Sequence, residues 1–184
     1  MQNNKTRFLV FSALFIALTF VVTYTIKIPL LSGYFNLGDV IIMLGAIIFG
    51  KNLGFIAGSF GSALADILSG YTVYAPLTFI IKGLEGYLCG YIANYKQEKF
   101  DNKKIIIGTF AAGILMALGY FLAEAFILKS LSSALNVNRD IQFGIKVATV
   151  NLPFNLLQGL LSGLVSSIIG IALKNNPAIK KVKI

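Results

Sequence analysis

The chain contains no histidine, no tryptophan, a single cysteine and only seven acidic residues among its 184. With Cys89 alone and no histidine, neither an internal disulfide nor a Cys/His metal centre can be assembled. Cys89 lies within an apolar run and reads as a small buried thiol. Charge is scarce too, at 12% of residues, where a soluble domain carries roughly 25% to wet its surface. Apolar residues make up 57% instead, and the mean hydropathy is +0.80. Such a chain faces lipid. Its formal net charge of +9 comes from short basic clusters between long apolar runs. No basic stripe interleaves with aromatics, which argues against a nucleic-acid partner and turns the charge into a topology signal.

A spanning helix needs about 20 apolar residues, with a range of roughly 17 to 25. Residues 8–26, 74–95 and 105–128 meet that length, whereas 37–50 and 53–68 are short, the latter rich in glycine, serine and alanine. The last run, 145–173, is long, and Pro153 either kinks it or marks its start. The expectation is an all-α polytopic membrane bundle of six helices, the second and third short and packed inside the bundle or tilted. It forms one integral membrane unit over 1–184, with no polar stretch able to build a separate soluble core. Lys5 and Arg7 before the first run resemble a secretory signal, but the run ends Val21-Val22-Thr23-Tyr24 without a small-x-small cleavage site. A retained first helix is expected.

Placing the N-terminus inside puts eleven basic residues on inner segments: Lys5, Arg7, Lys51, Lys96, Lys99, Lys103, Lys104, Lys174, Lys180, Lys181 and Lys183. Four fall outside: Lys27, Lys129, Arg139 and Lys146. That asymmetry predicts an inner-membrane protein with both termini cytoplasmic.

Ionisable groups inside the bilayer are costly and mark function unless paired or interfacial. Glu98, Asp101 and Asp140 belong to loops, leaving Asp39, Asp66, Glu85, Glu124 and Lys82 within apolar segments. Lys82 and Glu85 lie roughly 10 and 15 Å below the outer surface at 1.5 Å per residue. All five therefore fall in the outer half or near the middle of the membrane, as an outward-opening polar cavity requires. Alternative roles stand beside that one. Lys82 and Glu85 are three apart and can neutralise each other, and Asp39 and Asp66 can serve as helix caps or loop anchors. Asn151, Asn155 and Gln158 share one face of the last helix, and Tyr120 and Glu124 pair at i, i+4 on the fifth. These groups either converge on a solute or bond a neighbouring helix. The first outer loop carries Pro29, Leu30, Leu31, Tyr34 and Phe35. It can lie over a bound ring as a lid or rest among headgroups. Without tryptophan, Tyr34, Tyr74 or Tyr120 must supply any stacking surface. Small residues recur at i, i+4: Ala13 and Ala17, Gly54 and Gly58, Gly86 and Gly90, Gly159 and Gly163. Such pairs let helix backbones approach closely. Gly45 to Asn52 nearly spells a phosphate-binding loop, but Asn52 stands where a magnesium-holding Ser or Thr belongs and the intervening residues are apolar.

Residues 37 to 90 carry a family pattern: Leu37-Gly38-Asp39, Phe49-Gly50, Gly61-Ser62-Ala63-Leu64-Ala65-Asp66, Ser69-Gly70-Tyr71, Ala75-Pro76 and Lys82-Gly83-Leu84-Glu85-Gly86. With Ala13 and Ala17 as an Ala-x-x-x-Ala signature, the chain resembles the substrate-binding S components of energy-coupling-factor (ECF) vitamin transporters. The subgroup it resembles is associated with pyridoxine-like or hydroxymethylpyrimidine-like compounds. Beyond residue 100 the likeness is one of hydropathy and length. The resemblance implies capture of a vitamin or precursor from outside and docking, partly through Ala13 and Ala17, on a transmembrane coupling protein that bears two ATPase subunits. ATP hydrolysis by those partners then drives release inside. It places the ligand among the first outer loop and helices 4, 5 and 6. The residues expected to bind are Lys82, Glu85, Tyr120, Glu124, Asn151, Asn155, Gln158, Tyr34 and Tyr74. Neither a metal nor a cofactor is expected. A stand-alone proton- or ion-coupled secondary transporter, with Glu85 or Glu124 carrying protons, is the other reading, although no inverted repeat relates the halves. An enzyme lacks the tools here, having no histidine and no nucleophile paired with a base.

Overall fold

The computed structural model describes residues 2–29, 34–94, 101–127, 141–173 and 176. Outside them lie Leu30, Leu31 and Gly33 of the first loop, the chain ends proposed for the fourth and fifth spans at Tyr95 and Leu128, and the loop charges Lys96, Glu98, Lys99, Lys129, Arg139 and Asp140. The terminal Lys174, Lys180, Lys181 and Lys183 lie outside them as well.

Helix α1 (Gln2–Thr25) leads into two short strands, β1 (Lys27–Pro29) and β2 (Tyr34–Asn36). The strands pair antiparallel, Lys27 opposite Asn36 and Pro29 opposite Tyr34. Helix α2 (Gly38–Phe49) follows, then a third span built of α3 (Lys51–Ile56), a π-helical segment π1 (Ala57–Gly61) and α4 (Ser62–Leu68). Helix α5 (Ala75–Ala93) is the fourth span, α6 (Asn102–Leu122) with π2 (Ala123–Ile127) the fifth, and α7 (Ile141–Leu173) the sixth. Among the described residues, three stretches are long and apolar enough to cross a membrane: Asn4–Thr25, Asn102–Phe126 and Gly144–Leu173. The 19 residues of α5 also reach about 28 Å, but Lys82 and Glu85 lower their hydropathy.

The expected six-helix bundle with short second and third helices is what folds. Its boundaries shift where turn chemistry decides them. Only Gly50 separates α2 from α3, so the third span starts at Lys51 rather than at residue 53. Gly50 has φ +91, a left-handed conformation that lets the chain reverse in one residue. Gly70, at φ +83, ends α4 in a Schellman cap: Tyr71 N–H bonds the Asp66 carbonyl at 2.8 Å and Gly70 N–H that of Ile67 at 3.3 Å. The last helix begins at Ile141 and runs through Pro153, so Pro153 is interior and not its start. The near-phosphate-loop stretch is helical on both sides of Gly50, with no strand.

The interior is inverted relative to a soluble protein. Lys82, Asp39 and Glu85 are 2%, 0% and 0% exposed, while Leu9, Ile107, Leu118, Leu160 and Ile168 are open on the outside. Lipid can solvate that exterior, and only the bundle can shelter the charges. A core of Met43, Ile47, Cys89, Ile105 and Ala112 fills the end away from the strands, and Cys89 is buried there as a free thiol. Glycines let the helices touch. A methyl group built on Gly113 or Gly159 would lie 2.6 Å from the other's carbonyl oxygen, which brings α6 and α7 into backbone contact. Gly54 and Gly58 meet Gly86 and the Lys82 backbone of α5 in the same way.

Candidate functional site

From Tyr74, the N-cap of α5, Thr78, Lys82 and Glu85 follow at steps of four, four and three and so form one stripe. It faces inward. Lys82 Nζ pairs with Asp39 Oδ1 from α2 and, at 3.1 Å, with Glu85 Oε2. Gln158 of α7 closes the cluster: its Nε2 donates to Asp39 Oδ2 at 2.8 Å, and its Oε1 accepts the Asn36 backbone N–H at 2.9 Å. The Asn36 side chain in turn accepts Gly38 N–H at 2.9 Å. One amide thus ties the strand pair, α2 and α7 together.

Next to this cluster is a hollow lined by Thr23, Tyr34, Asn36, Ser62, Asp66, Tyr71, Tyr74, Thr78, Lys82, Tyr120, Glu124, Asn155 and Gln158. Its volume is about 500 Å³, open solvent at the mouth included. Tyr120 donates to Thr78 Oγ1 at 3.0 Å, and its ring lies 5.6 Å from Lys82 Nζ. Glu124, carried by π2, accepts from Asn151 Nδ2 at 2.9 Å. Widening of a helix into a π segment recurs at functional sites.

The mouth is partly closed. Tyr34 of β2 donates to Asp66 Oδ1 at 2.6 Å and packs 5.1 Å, centroid to centroid, from Tyr71, which the Schellman cap of α4 turns inward. Burial first, and then the Asp66 carboxylate, raise the Tyr34 pKa above the ordinary tyrosine value, so the hydroxyl stays a donor. At the rim, Lys27 Nζ donates to Ser69 Oγ at 2.6 Å and lies 4.4 Å from the Tyr24 ring.

Of the residues picked out by spacing, Lys82, Tyr120, Glu124, Asn155, Gln158, Tyr34 and Tyr74 line the hollow. Glu85 and Asn151 stand one layer behind it, against Lys82 and Glu124. Two alternatives are thereby sorted. Asp39 does not cap α2, whose N-cap residue is Leu37 and whose first N–H is taken by the Asn36 side chain; it is the principal partner of Lys82. Asp66 does anchor the loop, through Tyr34, and also lines the hollow. Asn36, Tyr71 and Thr78 were not among the expected site residues. Thr78 could have been found as the i−4 neighbour of Lys82, but Asn36 and Tyr71 depend on turns that sequence spacing does not describe. Ala13 and Ala17 are exposed on α1, away from the hollow.

An apolar-surfaced helical bundle with a polar hollow at one end has the architecture of a multi-pass membrane protein with room for a small solute. The family model of the ECF-type riboflavin transporter S component matches residues 3–175, and the chain belongs to that family. An uncharacterized protein of Pyrococcus woesei is 43% identical over 103 residues, 56% of this chain and 66% of that protein. The chain thus spans just under two thirds of that relative. The thiamine precursor transporter HmpT of Lactococcus lactis subsp. cremoris is 35% identical over 121 residues, 63% of this chain and 72% of that protein. A solved structure, described as the S component of a bacterial ECF transporter, superposes with a TM-score of 0.57 at 20% identity. It covers 95% of this chain and 98% of that one, and shows that the fold is shared.

Proposed function

We propose that the chain captures a small ring-shaped vitamin or vitamin precursor, of pyridoxine or hydroxymethylpyrimidine type, from outside the cell. It delivers the ring inward together with an ECF transmembrane coupling protein and two ATPase subunits. The observation that carries this reading is the hollow, walled by charged and amide groups and roofed by tyrosines. A ring with hydroxyl or amine substituents can exchange its water for Lys82, Glu124, Asn155 and Gln158 while lying against Tyr34, Tyr71 or Tyr74. The similarity to a thiamine precursor transporter supports a single ring. Orientation is part of the proposal. Lys5 and Arg7 lie at the end of α1 opposite Thr23, which lines the hollow, so the basic asymmetry places the termini in the cytoplasm and the hollow outside.

Native mass spectrometry of the purified protein, followed by calorimetric titration with hydroxymethylpyrimidine and pyridoxine, tests the reading. Retention or tight binding of such a ring is expected; the absence of both would refute it. Loss of the Tyr34 latch gives a second result. A hydrogen bond to a charged group contributes about 1.5–3 kcal/mol, so Tyr34→Phe is expected to speed ligand release about tenfold or more, measured by radioligand chase. An unchanged release rate would mean that the strand pair does not gate the mouth. Third, Ala13→Leu with Ala17→Leu places bulk on an exposed helix face remote from the hollow. Ligand affinity is expected to stay the same, whereas uptake into cells carrying the ATPase partners falls at least about tenfold, because helix contacts in lipid depend on small residues. Lost affinity in the purified double variant would contradict a docking role.

A further inference from the structure

We propose that Asp66 and Glu124 make the hollow selective by charge: it takes rings that offer N–H or O–H donors without net negative charge, and turns away those bearing a carboxylate or phosphate. The inference rests on the capture reading above and specifies the substrate class of that same site. Four buried carboxyl groups, Asp39, Asp66, Glu85 and Glu124, gather at this end of the bundle, against Lys82 within and Lys27 at the rim. Most of the strong donors lining the hollow already have a partner. Lys82 answers Asp39 and Glu85, Gln158 Nε2 bonds Asp39, Tyr34 bonds Asp66 and Tyr120 bonds Thr78. Beside the Asn155 amide and the remaining N–H groups of Lys82 and Gln158, what is left is acceptor capacity. Asp66 Oδ2 and Glu124 Oε2 have no hydrogen-bond partner among the described residues, although the two side chains are 5% and 2% exposed and line the hollow. A buried carboxylate oxygen without a donor is expensive. A ligand amine, protonated ring nitrogen or hydroxyl removes that cost, and a ligand anion increases it.

The geometry provides a clean test. Asp66→Asn can keep the oxygen that accepts from Tyr34, and Glu124→Gln the oxygen that accepts from Asn151, while each converts the unpartnered oxygen into a donor. Affinities are measured for 4-amino-5-hydroxymethyl-2-methylpyrimidine against its phosphate ester, and for pyridoxine against 4-pyridoxic acid, where a hydroxymethyl becomes a carboxylate. In the native protein the parent of whichever pair binds is expected to exceed its anionic partner by about 100-fold, and in the double variant by less than about fivefold. If an anionic compound binds the native protein within threefold of its parent, charge selectivity is overturned while capture of a ring stands. A ratio that stays near 100-fold in a folded double variant overturns the assignment to Asp66 and Glu124. Should the double variant fail to fold, the native ratio still decides on selectivity. Binding of neither parent overturns this inference together with the reading beneath it.

Discussion

Lys82→Met will leave the protein poorly folded, with a broad, early-eluting profile in detergent and a strongly lowered melting temperature. The ammonium is the shared partner of Asp39 and Glu85, and all three side chains are buried in the bundle. Removing one partner of a buried ionic cluster costs about 3–5 kcal/mol, because the remaining charges stay desolvated without compensation. In this bundle two carboxylates would be stranded at once. Neutralising the whole cluster should be far milder than breaking it. Lys82→Met combined with Asp39→Asn and Glu85→Gln keeps an oxygen for Gln158 Nε2 and strands no charge, so most of the lost melting temperature should return. If the triple variant is no better folded than the single one, the damage comes from lost packing rather than from unpaired charge.

Gly113→Ala inverts an ordinary rule. Alanine in place of glycine inside a helix normally stabilises by roughly 0.5–1 kcal/mol, because glycine loses more backbone freedom on folding. At position 113 the added methyl would sit 2.6 Å from the Gly159 carbonyl oxygen, a backbone atom that cannot rotate away. Helices α6 and α7 must separate, and overpacking of this kind costs about 1–3 kcal/mol. Gly163→Ala is the built-in comparison. Its nearest neighbour, the Thr109 carbonyl oxygen, is 3.4 Å away, so the same substitution about one turn along the bundle from the contact should be neutral or stabilising. Thermal unfolding of the two variants side by side decides the matter: equal melting temperatures would show that α6 and α7 are not held in backbone contact at Gly113.

Much of the site was legible because helical spacing is a physical constraint. Lys82 and Glu85 had to share a face, as did Asn151, Asn155 and Gln158, and both faces turned out to point inward. The cost of charge in lipid is what made them worth noticing. The partner of Lys82 was not legible in the same way. Glu85 is its neighbour in sequence, but Asp39, 43 residues away, shares the ammonium, and no local pattern reports which end-of-helix carboxylate turns inward. Neither of the two π segments has a marker in the sequence. Yet π2 carries Glu124, which lines the hollow.

Composition and hydropathy by themselves determined a lipid-embedded bundle of six helices with short second and third members, since apolar length and the price of burying charge leave few other outcomes. Only the tertiary structure decided which charges meet. It joined Asp39 to Lys82, latched Tyr34 onto Asp66, and left one oxygen each of Asp66 and Glu124 facing an enclosed hollow without a donor. The reason is one of range. Periodicity acts over a turn or two of helix, whereas these contacts bring together residues from separate helices through one-residue turns and glycine-thin interfaces whose geometry exists only once the bundle has closed.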